Sequence, residues 1–398
     1  MAQPFIPEHP EQLTPEWLTG VLLERGFLKS SKVVSVGREA LGDGEGFLGV
    51  ISRLTLTLDR EEPGMPKTLI AKLPTQVKEN RVMAELLGAY RREILFYEEF
   101  AEQVPMRLPV AYYAAFDAGH DRDKELEQAG RLDDVPTWLG GAIMWFARFI
   151  TARRHYRYVL LIEDLAPGRV GDQLAGASPE DCAAVLAAIA AAHAKFWTSP
   201  MLEERSWLAR QDVTPRMRHG MYLKGRKGFP ARHPELIRDG LGKYIDWLDE
   251  NGARVLVDLH RDAPQTLIHC DLRFDNVFFS DRDAEDGPTV FDWQLVGVGA
   301  AAYDVAYLLS GGLSADASPE TVDGLLLGYH AALVENGVRD YPFDQFMRDY
   351  HRGLCVALTV VASSDSMQMG DDRGIELMDE WARRTFARIR EVDPNQLL

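Results

Sequence analysis

The chain contains few cysteines. Only three occur among its 398 residues, Cys182, Cys270 and Cys355, and they lie far apart, without a Cys-x-x-Cys pair or the Cys/His spacing of a zinc site. A small secreted module held together by disulfides needs a much higher cysteine density. The sequence therefore indicates neither a disulfide framework nor a zinc site, and the cysteine content is typical of a protein of the reducing cytosol.

Basic residues are also in deficit. The 44 Lys and Arg are outnumbered by 61 Asp and Glu, which gives a formal net charge of -17. A charge of this sign repels nucleic acid and anionic membrane surfaces. We therefore expect neither a nucleic-acid partner nor a membrane partner.

Long hydrophobic runs are missing as well. The longest nearly uncharged apolar stretch, residues 138–150, contains Arg148 and is shorter than the roughly 20 residues of a membrane-spanning helix. Residues 1–13 carry two glutamates and no basic-then-apolar run, which argues against a secretory signal peptide. We expect a cytoplasmic location. The ordinary composition, 46% hydrophobic and 26% charged, predicts a globular chain with a large core.

The first 162 residues show mainly strand patterns. A leading helix is predicted by Thr14 as its N-cap and Pro15 in its first turn. Alternating or β-branched apolar residues then predict short strands, near residues 33–36, 54–58, 67–73, 109–116 and 158–162. Because a glycine run at residues 42–49 separates the first two, we expect a small antiparallel sheet with a flexible glycine loop.

One helix within this part carries an unusual charge. Between residues 84 and 104 an apolar stripe at helical spacing consists of Leu86, Tyr90, Tyr97 and Phe100, and Glu93 is the only charged residue on it. A carboxylate that faces a core is costly unless a cation meets it. The pattern therefore predicts a buried basic partner for Glu93.

The remainder of the chain is predicted to be mostly helical. Residues 178 and 318 are serines followed by proline and acidic residues, a combination typical of helix starts. We therefore predict an α+β fold with two lobes: residues 1–162, which include an insert at about 118–157, and residues 163–398. The stretch 160–168 is the expected connection between them.

A compact polar motif interrupts the helical part. Residues 269–276 read His-Cys-Asp-Leu-Arg-Phe-Asp-Asn, and Asp292 follows sixteen residues after Asn276. Apolar runs at 277–279 and 289–291 can form a hairpin that places the Asn276 amide oxygen beside the Asp292 carboxylate. These are the hard oxygen ligands that Mg²⁺ prefers. Asp271 would then lie close by, free to orient an attacking hydroxyl.

The motif resembles the catalytic loop of the protein-kinase-like fold, within residues 267–293. It is more similar to the small-molecule branch of that fold, which holds aminoglycoside phosphotransferases, choline kinases and ecdysteroid-kinase-like proteins. The stretches Phe291-Asp-Trp-Gln-Leu295 and Tyr303-Asp-Val-Ala-Tyr-Leu-Leu309 resemble the ecdysteroid-kinase-like group most. The resemblance covers about residues 30–390 and is weak in the insert.

The resemblance implies roles for residues of the sheet and the loop. Lys72 would be the strand lysine that binds the α- and β-phosphates of ATP, and Glu93 the helix acid that pairs with it. Gly44 and Gly46 would cover the phosphates with backbone N–H groups. Asp271, Asn276 and Asp292 would be catalytic, and the last two would hold Mg²⁺.

The resemblance also implies a nucleotide hinge and two supporting residues. The hinge, at Ile162, Glu163 and Asp164, would bind adenine through its backbone. His269 would brace the catalytic loop, and Asp304 would accept hydrogen bonds from that loop's backbone. Both are expected to be structural.

These features predict an ATP- and Mg²⁺-dependent phosphotransferase that acts on a hydroxyl of a small molecule. A protein kinase fits less well, because only eleven residues separate Asp292 from Asp304 and no activation segment fits between them. A catalytically silent ATP-binding scaffold is the alternative outside the enzymes. Formation of a homodimer is left open.

The acceptor itself is weakly encoded. An aromatic cluster in the insert, Trp138, Trp145, Phe146 and Phe149, favours a bulky, rather apolar alcohol. The acidic charge of the chain favours the alternative, a cationic acceptor such as an aminoglycoside or choline. The insert is either a wall of the acceptor site or a packing element.

Overall fold

The computed structural model of the protein describes residues 5–41, 49–117, 156–281, 287–363 and 372–398. Gly44, Gly46 and the aromatic cluster at 138–149 lie outside the described residues, so their predicted roles stay predictions. Within the described residues, a strand-rich part that includes three helices comes first and a mainly helical part with short strands follows, as predicted.

The strands are β1 Val33–Ala40, β2 Gly49–Leu58, β3 Thr68–Pro74, β4 Ala111–Phe116, β5 Tyr158–Glu163, β6 Gly168–Val170, β7 Ala209–Arg210, β8 Gln265–Ile268, β9 Val277–Ser280, β10 Thr289–Val290 and β11 Gly297–Ala300. The α-helices are α1 Pro15–Glu24, α2 Lys78–Leu87, α3 Ala89–Glu99, α4 Pro179–Lys195, α5 Pro200–Glu203, α6 Pro215–Gly225, α7 Phe229–Arg232, α8 Pro234–Leu236, α9 Gly242–Asp262, α10 Ala301–Gly312, α11 Pro319–Glu335, α12 Phe343–Ser363 and α13 Asp372–Ile389.

The first five strands form one antiparallel sheet in the order β1-β2-β3-β5-β4. Successive side chains of a strand point to opposite faces of the sheet. On β5, Val159 and Leu161 therefore pack toward α1, whereas Leu160 and Ile162 join the core on the side of α3. On β3 the same alternation places Ile70 on the α3 side, and Lys72, two residues further on, shares that face.

The predicted helix over residues 84–104 is wrong in its bounds. Two helices occupy the region, because Gly88 adopts a left-handed conformation with φ 71° that ends α2 before α3 begins. Glycine takes this conformation without the steric penalty of a Cβ atom. Leu86 therefore belongs to the earlier helix and is half-buried, whereas Tyr90, Glu93 and Tyr97 of α3 are buried.

The helical part encloses two small sheets. Helix α10 is buried along its whole length and packs against α12 and α13. The predicted hairpin is confirmed, since β9 pairs antiparallel with β10 and residue 278 lies opposite residue 289. The short strand β6, which the sequence pattern does not indicate, pairs with β9 on its other side.

The serine N-caps are confirmed. The Ser178 hydroxyl accepts a hydrogen bond from Asp181 N, and Ser318 does the same for Thr321 N. The α+β class is confirmed by the five-stranded sheet and the helices that follow it. The lobe boundary after Ile162 stays a prediction. Among the described helices, none has the length and apolar character needed to span a membrane.

Candidate active site

Lys72 lies at the centre of a buried charge cluster. Its Nζ atom is 2.5 Å from Glu93 Oε1 and 2.8 Å from Asp292 Oδ1. The first partner lies on α3, and the second lies 220 residues further along the chain. Glu93 therefore has the basic partner that the apolar stripe predicts, and the same lysine connects the sheet to the segment after β10.

Burial and charge act against each other in this cluster. Burial disfavours the Lys72 ammonium, but the carboxylates of Asp292 and Glu93 outweigh it and raise the pKa of Lys72. Burial raises the pKa of Glu93, and Lys72 only partly offsets that rise. The Asp292 side chain is 31% exposed, and although burial opposes its ionisation, Lys72 lowers its pKa. The lysine is thus held charged between two carboxylates.

A short helical turn fixes Asp292 in this position. Asp292 itself adopts a left-handed conformation with φ 63°, and the turn Trp293–Leu295 follows directly. The Trp293 ring stacks on Phe96 of α3, with ring centroids 4.1 Å apart and an interplanar angle of 9°. Gln294, the next residue of the turn, is buried and acts to lower the pKa of Glu93. Residues on both sides of the turn thereby tie Asp292 to the helix that carries Glu93.

Asp304 anchors the backbone at the start of the predicted catalytic loop. Its Oδ2 accepts a hydrogen bond from His269 N at 2.6 Å, and its Oδ1 accepts one from Cys270 N at 3.0 Å. His193 Nε2 lies 3.3 Å from the same carboxylate. Cys270 has a positive φ of 67°, a conformation that costs a residue with a Cβ atom about 1–2 kcal/mol. The fully buried carboxylate stabilises this turn, as the resemblance implies.

His269 joins the loop to the following hairpin. Its Nε2 lies 3.0 Å from Phe291 O, one residue before Asp292. Phe291 N in turn donates to Asn276 O at 3.0 Å. Because of these contacts, the backbones of residues 269, 276 and 291 are neighbours, and the motif residues that lie apart in sequence are brought together.

Asp271 lies among hydrogen-bond donors. Asn276 Nδ2 donates to Asp271 O at 3.0 Å and to Asp271 Oδ2 at 3.2 Å, and Arg273 Nε is 3.4 Å from the same Oδ2. Tyr307 is buried as well, and burial together with the charge of Asp271 raises the pKa of Tyr307 well above its usual value. These donors fix the orientation of Asp271, a condition for a positioned base.

The predicted hinge has side chains that are already engaged. Arg107 Nη2 lies 2.6 and 2.7 Å from the two Glu163 carboxylate oxygens. Arg53 donates to Asp164 at 2.7 Å. The backbone of Ile162 lies in register with Ile70 and Ala111 on the neighbouring strands. The side chains of Glu163 and Asp164 thus brace the end of β5, and their backbone roles toward adenine stay predictions.

The side-chain oxygen atoms of Asn276 and Asp292 suit a metal ion that binds together with the phosphates of a nucleotide. Within the described ranges, no group of three or more His, Cys, Asp or Glu could hold a metal ion by itself. Asn276 donates through its amide nitrogen to Asp271, which leaves its amide oxygen on the other side, and Asp292 contributes a carboxylate. One amide and one carboxylate suit Mg²⁺, which keeps few protein ligands and shares substrate phosphates.

Several residues of this site carry no clear signal in the sequence. His193 contacts Asp304, whereas Gln294 and Tyr307 interact electrostatically with Glu93 and Asp271. His193 reads as an ordinary packed helix residue, and it is indeed fully buried. Tyr307 could have been noted, since it lies one helical turn after Asp304.

A known protein family matches more than half of the chain. The sequence model of the phosphotransferase enzyme family (APH) matches residues 87–343. Among curated protein sequences, none matches the chain significantly.

Solved structures share the fold at low sequence identity. The GDP complex of a variant of aminoglycoside 2'-phosphotransferase-IIIa is 14% identical, with a TM-score of 0.51 over 94% of this chain and 100% of that one. The wild-type GDP complex gives 14% identity and 0.50, over 92% and 98%. An ethanolamine kinase from Plasmodium vivax gives 12% identity and 0.48, over 95% and 89%. The similarity to the two GDP complexes confirms the predicted protein-kinase-like fold.

The family model covers well over half of the chain and includes α3, the catalytic-loop motif and Asp304. The expectation of a small-molecule kinase is thereby confirmed, whereas the ecdysteroid-kinase-like subgroup is not. The chain belongs to the phosphotransferase enzyme family.

Proposed function

We propose that the protein transfers the γ-phosphate of ATP, in a Mg²⁺-dependent reaction, to a hydroxyl of a small molecule. The observation that carries the proposal is the position of Lys72, which contacts both Glu93 and Asp292. A lysine held charged beside a metal-ligand carboxylate is the arrangement that phosphoryl transfer from a nucleotide requires.

Each residue then has a defined task. Lys72, oriented by Glu93, binds the phosphate oxygens of the nucleotide, and Asn276 and Asp292 hold the metal. Mg²⁺, when bound, neutralises charge on the phosphate oxygens. Asp271 orients the acceptor hydroxyl and takes its proton as the oxygen–phosphorus bond forms and ADP leaves. Because the transition state is loose, positioning and charge neutralisation supply most of the acceleration.

For the acceptor we propose a bulky alcohol without a positive charge. Arg92 and Arg218 both act electrostatically on the Cys270 thiol, which precedes Asp271 in the loop. Arg273 lies beside Asp271 itself. Arg273 also pairs with Asp275, and Asp304 and Asp271 act on the same thiol, so the charges around the loop are mixed. The preference for an uncharged acceptor rests on the aromatic residues of the insert. An aminoglycoside or a choline-type alcohol is therefore the second candidate.

A direct screen tests both parts of the proposal. The protein is incubated with ATP, Mg²⁺ and a panel that contains neutral polycyclic alcohols, kanamycin and choline, and the mass of each acceptor is measured. We expect a gain of one phosphoryl group on a neutral alcohol, together with ADP. Phosphorylation of the cationic compounds alone would overturn the acceptor class but not the reaction.

The variant Asp271→Asn separates an enzyme from a silent scaffold. It should lose transfer by about 100-fold or more, because the proton acceptor is gone, and should keep its affinity for AMP-PNP. Tight binding of ATP by the wild-type protein without ADP formation from any acceptor of the panel would support the scaffold instead.

A further inference from the structure

Gln173 links the catalytic loop to the rest of the helical part. It lies three residues after β6 and is fully buried. Its side-chain Oε1 accepts a hydrogen bond from Phe274 N at 2.8 Å, and its backbone N donates to Asp275 Oδ1 at 2.9 Å. One residue thus binds two consecutive residues of the loop, which lie about a hundred positions away in sequence.

The contact continues to the proposed base. Asp275 Oδ2 accepts from Arg273 Nη1 at 2.8 Å, and Arg273 Nε lies 3.4 Å from Asp271 Oδ2. A displacement of Asp275 would therefore move Arg273 and, through it, the donors around the Asp271 carboxylate. Gln173 itself touches none of the groups that would react.

Helix α13 fixes Gln173 from the opposite side. The buried Arg384 donates through Nη1 to Gln173 O at 2.6 Å and to Gly311 O at 2.8 Å, and through Nη2 to Leu174 O at 2.8 Å. An arginine that donates to three backbone carbonyls defines a single position for the segment. Gln173 is consequently held between α13 and the catalytic loop.

Two glycines at the end of α10 make room for this arrangement. A Cβ atom at Gly311 would lie 2.1 Å from Gln173 Nε2, and one at Gly312 would lie 2.3 Å from the Phe274 ring. Within the described residues, Gln173 Nε2 has no hydrogen-bond partner. Burying an unpaired amide nitrogen is unfavourable, so an apolar side chain would suit packing better. Glutamine differs from such an apolar side chain in its amide oxygen, which accepts the hydrogen bond from Phe274 N.

We propose that Gln173 is a positioning residue for phosphoryl transfer, which holds Phe274 and Asp275 so that Arg273 and Asp271 keep their orientation. The inference rests on the proposed function. It predicts that loss of the amide oxygen lowers turnover more than it weakens nucleotide binding, since Lys72 and Asp292 are held by contacts outside this loop.

Two independent substitutions test this role. One removes the Gln173 amide, and the other displaces it. Gln173→Met keeps the volume and removes the acceptor. Gly311→Ala places a methyl group 2.1 Å from Nε2 and 2.8 Å from the Trp381 ring. Gly324→Ala on α11 is its matched control, because a Cβ atom there meets nothing within 4 Å.

Turnover is measured as ADP release from Mg-ATP with water as the acceptor, and nucleotide binding with AMP-PNP. We expect Gln173→Met and Gly311→Ala to lower kcat, by up to about 100-fold, as misplaced groups do, with KM for ATP changed less than about twofold. Gly324→Ala should match the wild type. Equal losses in kcat and in folded protein, or no loss in Gln173→Met, would overturn the inference.

Hydrogen exchange provides a readout that does not depend on turnover. The amides of residues 271–276 should exchange about tenfold faster in Gln173→Met, the change in a local opening equilibrium that one lost hydrogen bond produces. Exchange in α9 and α12 should not change. Wild-type protein that releases no ADP with water or with any acceptor of the panel would count against the proposed function, whereas unchanged exchange at 271–276 would count against the role of Gln173.

Discussion

The charge cluster around Lys72 makes a quantitative prediction about stability. In Lys72→Met the Glu93 carboxylate, with a side chain only 4% exposed, loses its cation. Breaking a buried ion pair by removing one partner costs about 3–5 kcal/mol. We therefore expect the free energy of unfolding at pH 8 to fall by about that amount. The exposed Lys67, just before the same strand, offers a control, since Lys67→Met should change it by less than about 0.5 kcal/mol.

The pH dependence follows from the direction of the pKa shift. Burial raises the pKa of Glu93, and Lys72 partly opposes this rise, so its pKa must rise further when Lys72 is absent. A carboxyl group whose folded pKa exceeds its unfolded pKa destabilises the folded protein at high pH. This penalty disappears as the pH falls from the folded toward the unfolded value. The deficit of Lys72→Met should therefore shrink between pH 8 and pH 5, by at most about 1.4 kcal/mol per pH unit.

Urea unfolding followed by tryptophan fluorescence, at several pH values and in EDTA, measures these differences. In the wild type the raised pKa of Lys72 and the lowered pKa of Asp292 keep both groups charged from pH 5 to pH 8. The double variant Lys72→Met/Glu93→Gln should return to within about 2 kcal/mol of the wild type and lose the extra pH dependence. A deficit that is independent of pH, or no recovery in the double variant, would refute the reasoning.

Three further changes test other parts of the site. Asp292→Asn should weaken nucleotide binding by about 10–100-fold in Mg²⁺ and much less in EDTA, as measured by calorimetry. Cys270→Val should lower the melting temperature more than Cys270→Gly, because a β-branched residue is strained at φ 67°; equal effects would exclude backbone strain. Asp304→Ala should cost about 3 kcal/mol or more in urea unfolding, since it removes the acceptor of two loop N–H groups; a smaller loss would mean that the loop N–H groups find other acceptors.

Local patterns in the sequence predict the structure correctly where a regular spacing of residues determines it. The alternation of apolar residues predicts the strands of the main sheet, because one period of two residues separates its two faces. The single charge on the α3 stripe predicts an ion pair, because an unpaired buried carboxylate is too costly to occur by chance. The exact helix bounds were not accessible in this way. Gly88 ends α2 through its left-handed conformation, and a glycine in the sequence does not by itself reveal whether it will take that conformation.

The support of the site depends on contacts that no local pattern encodes. Gln173, Arg384 and Phe274 meet only because β6 pairs with β9 and α13 packs beside α10, and a three-residue strand is too short to give a periodic signal. The sequence nevertheless contains one signal of these contacts. Two adjacent glycines, Gly311 and Gly312, end the helix α10, and each glycine in a helix costs about 1 kcal/mol relative to alanine. Such a pair indicates that another part of the chain approaches closely, and here the neighbours are the Gln173 amide and the Phe274 ring.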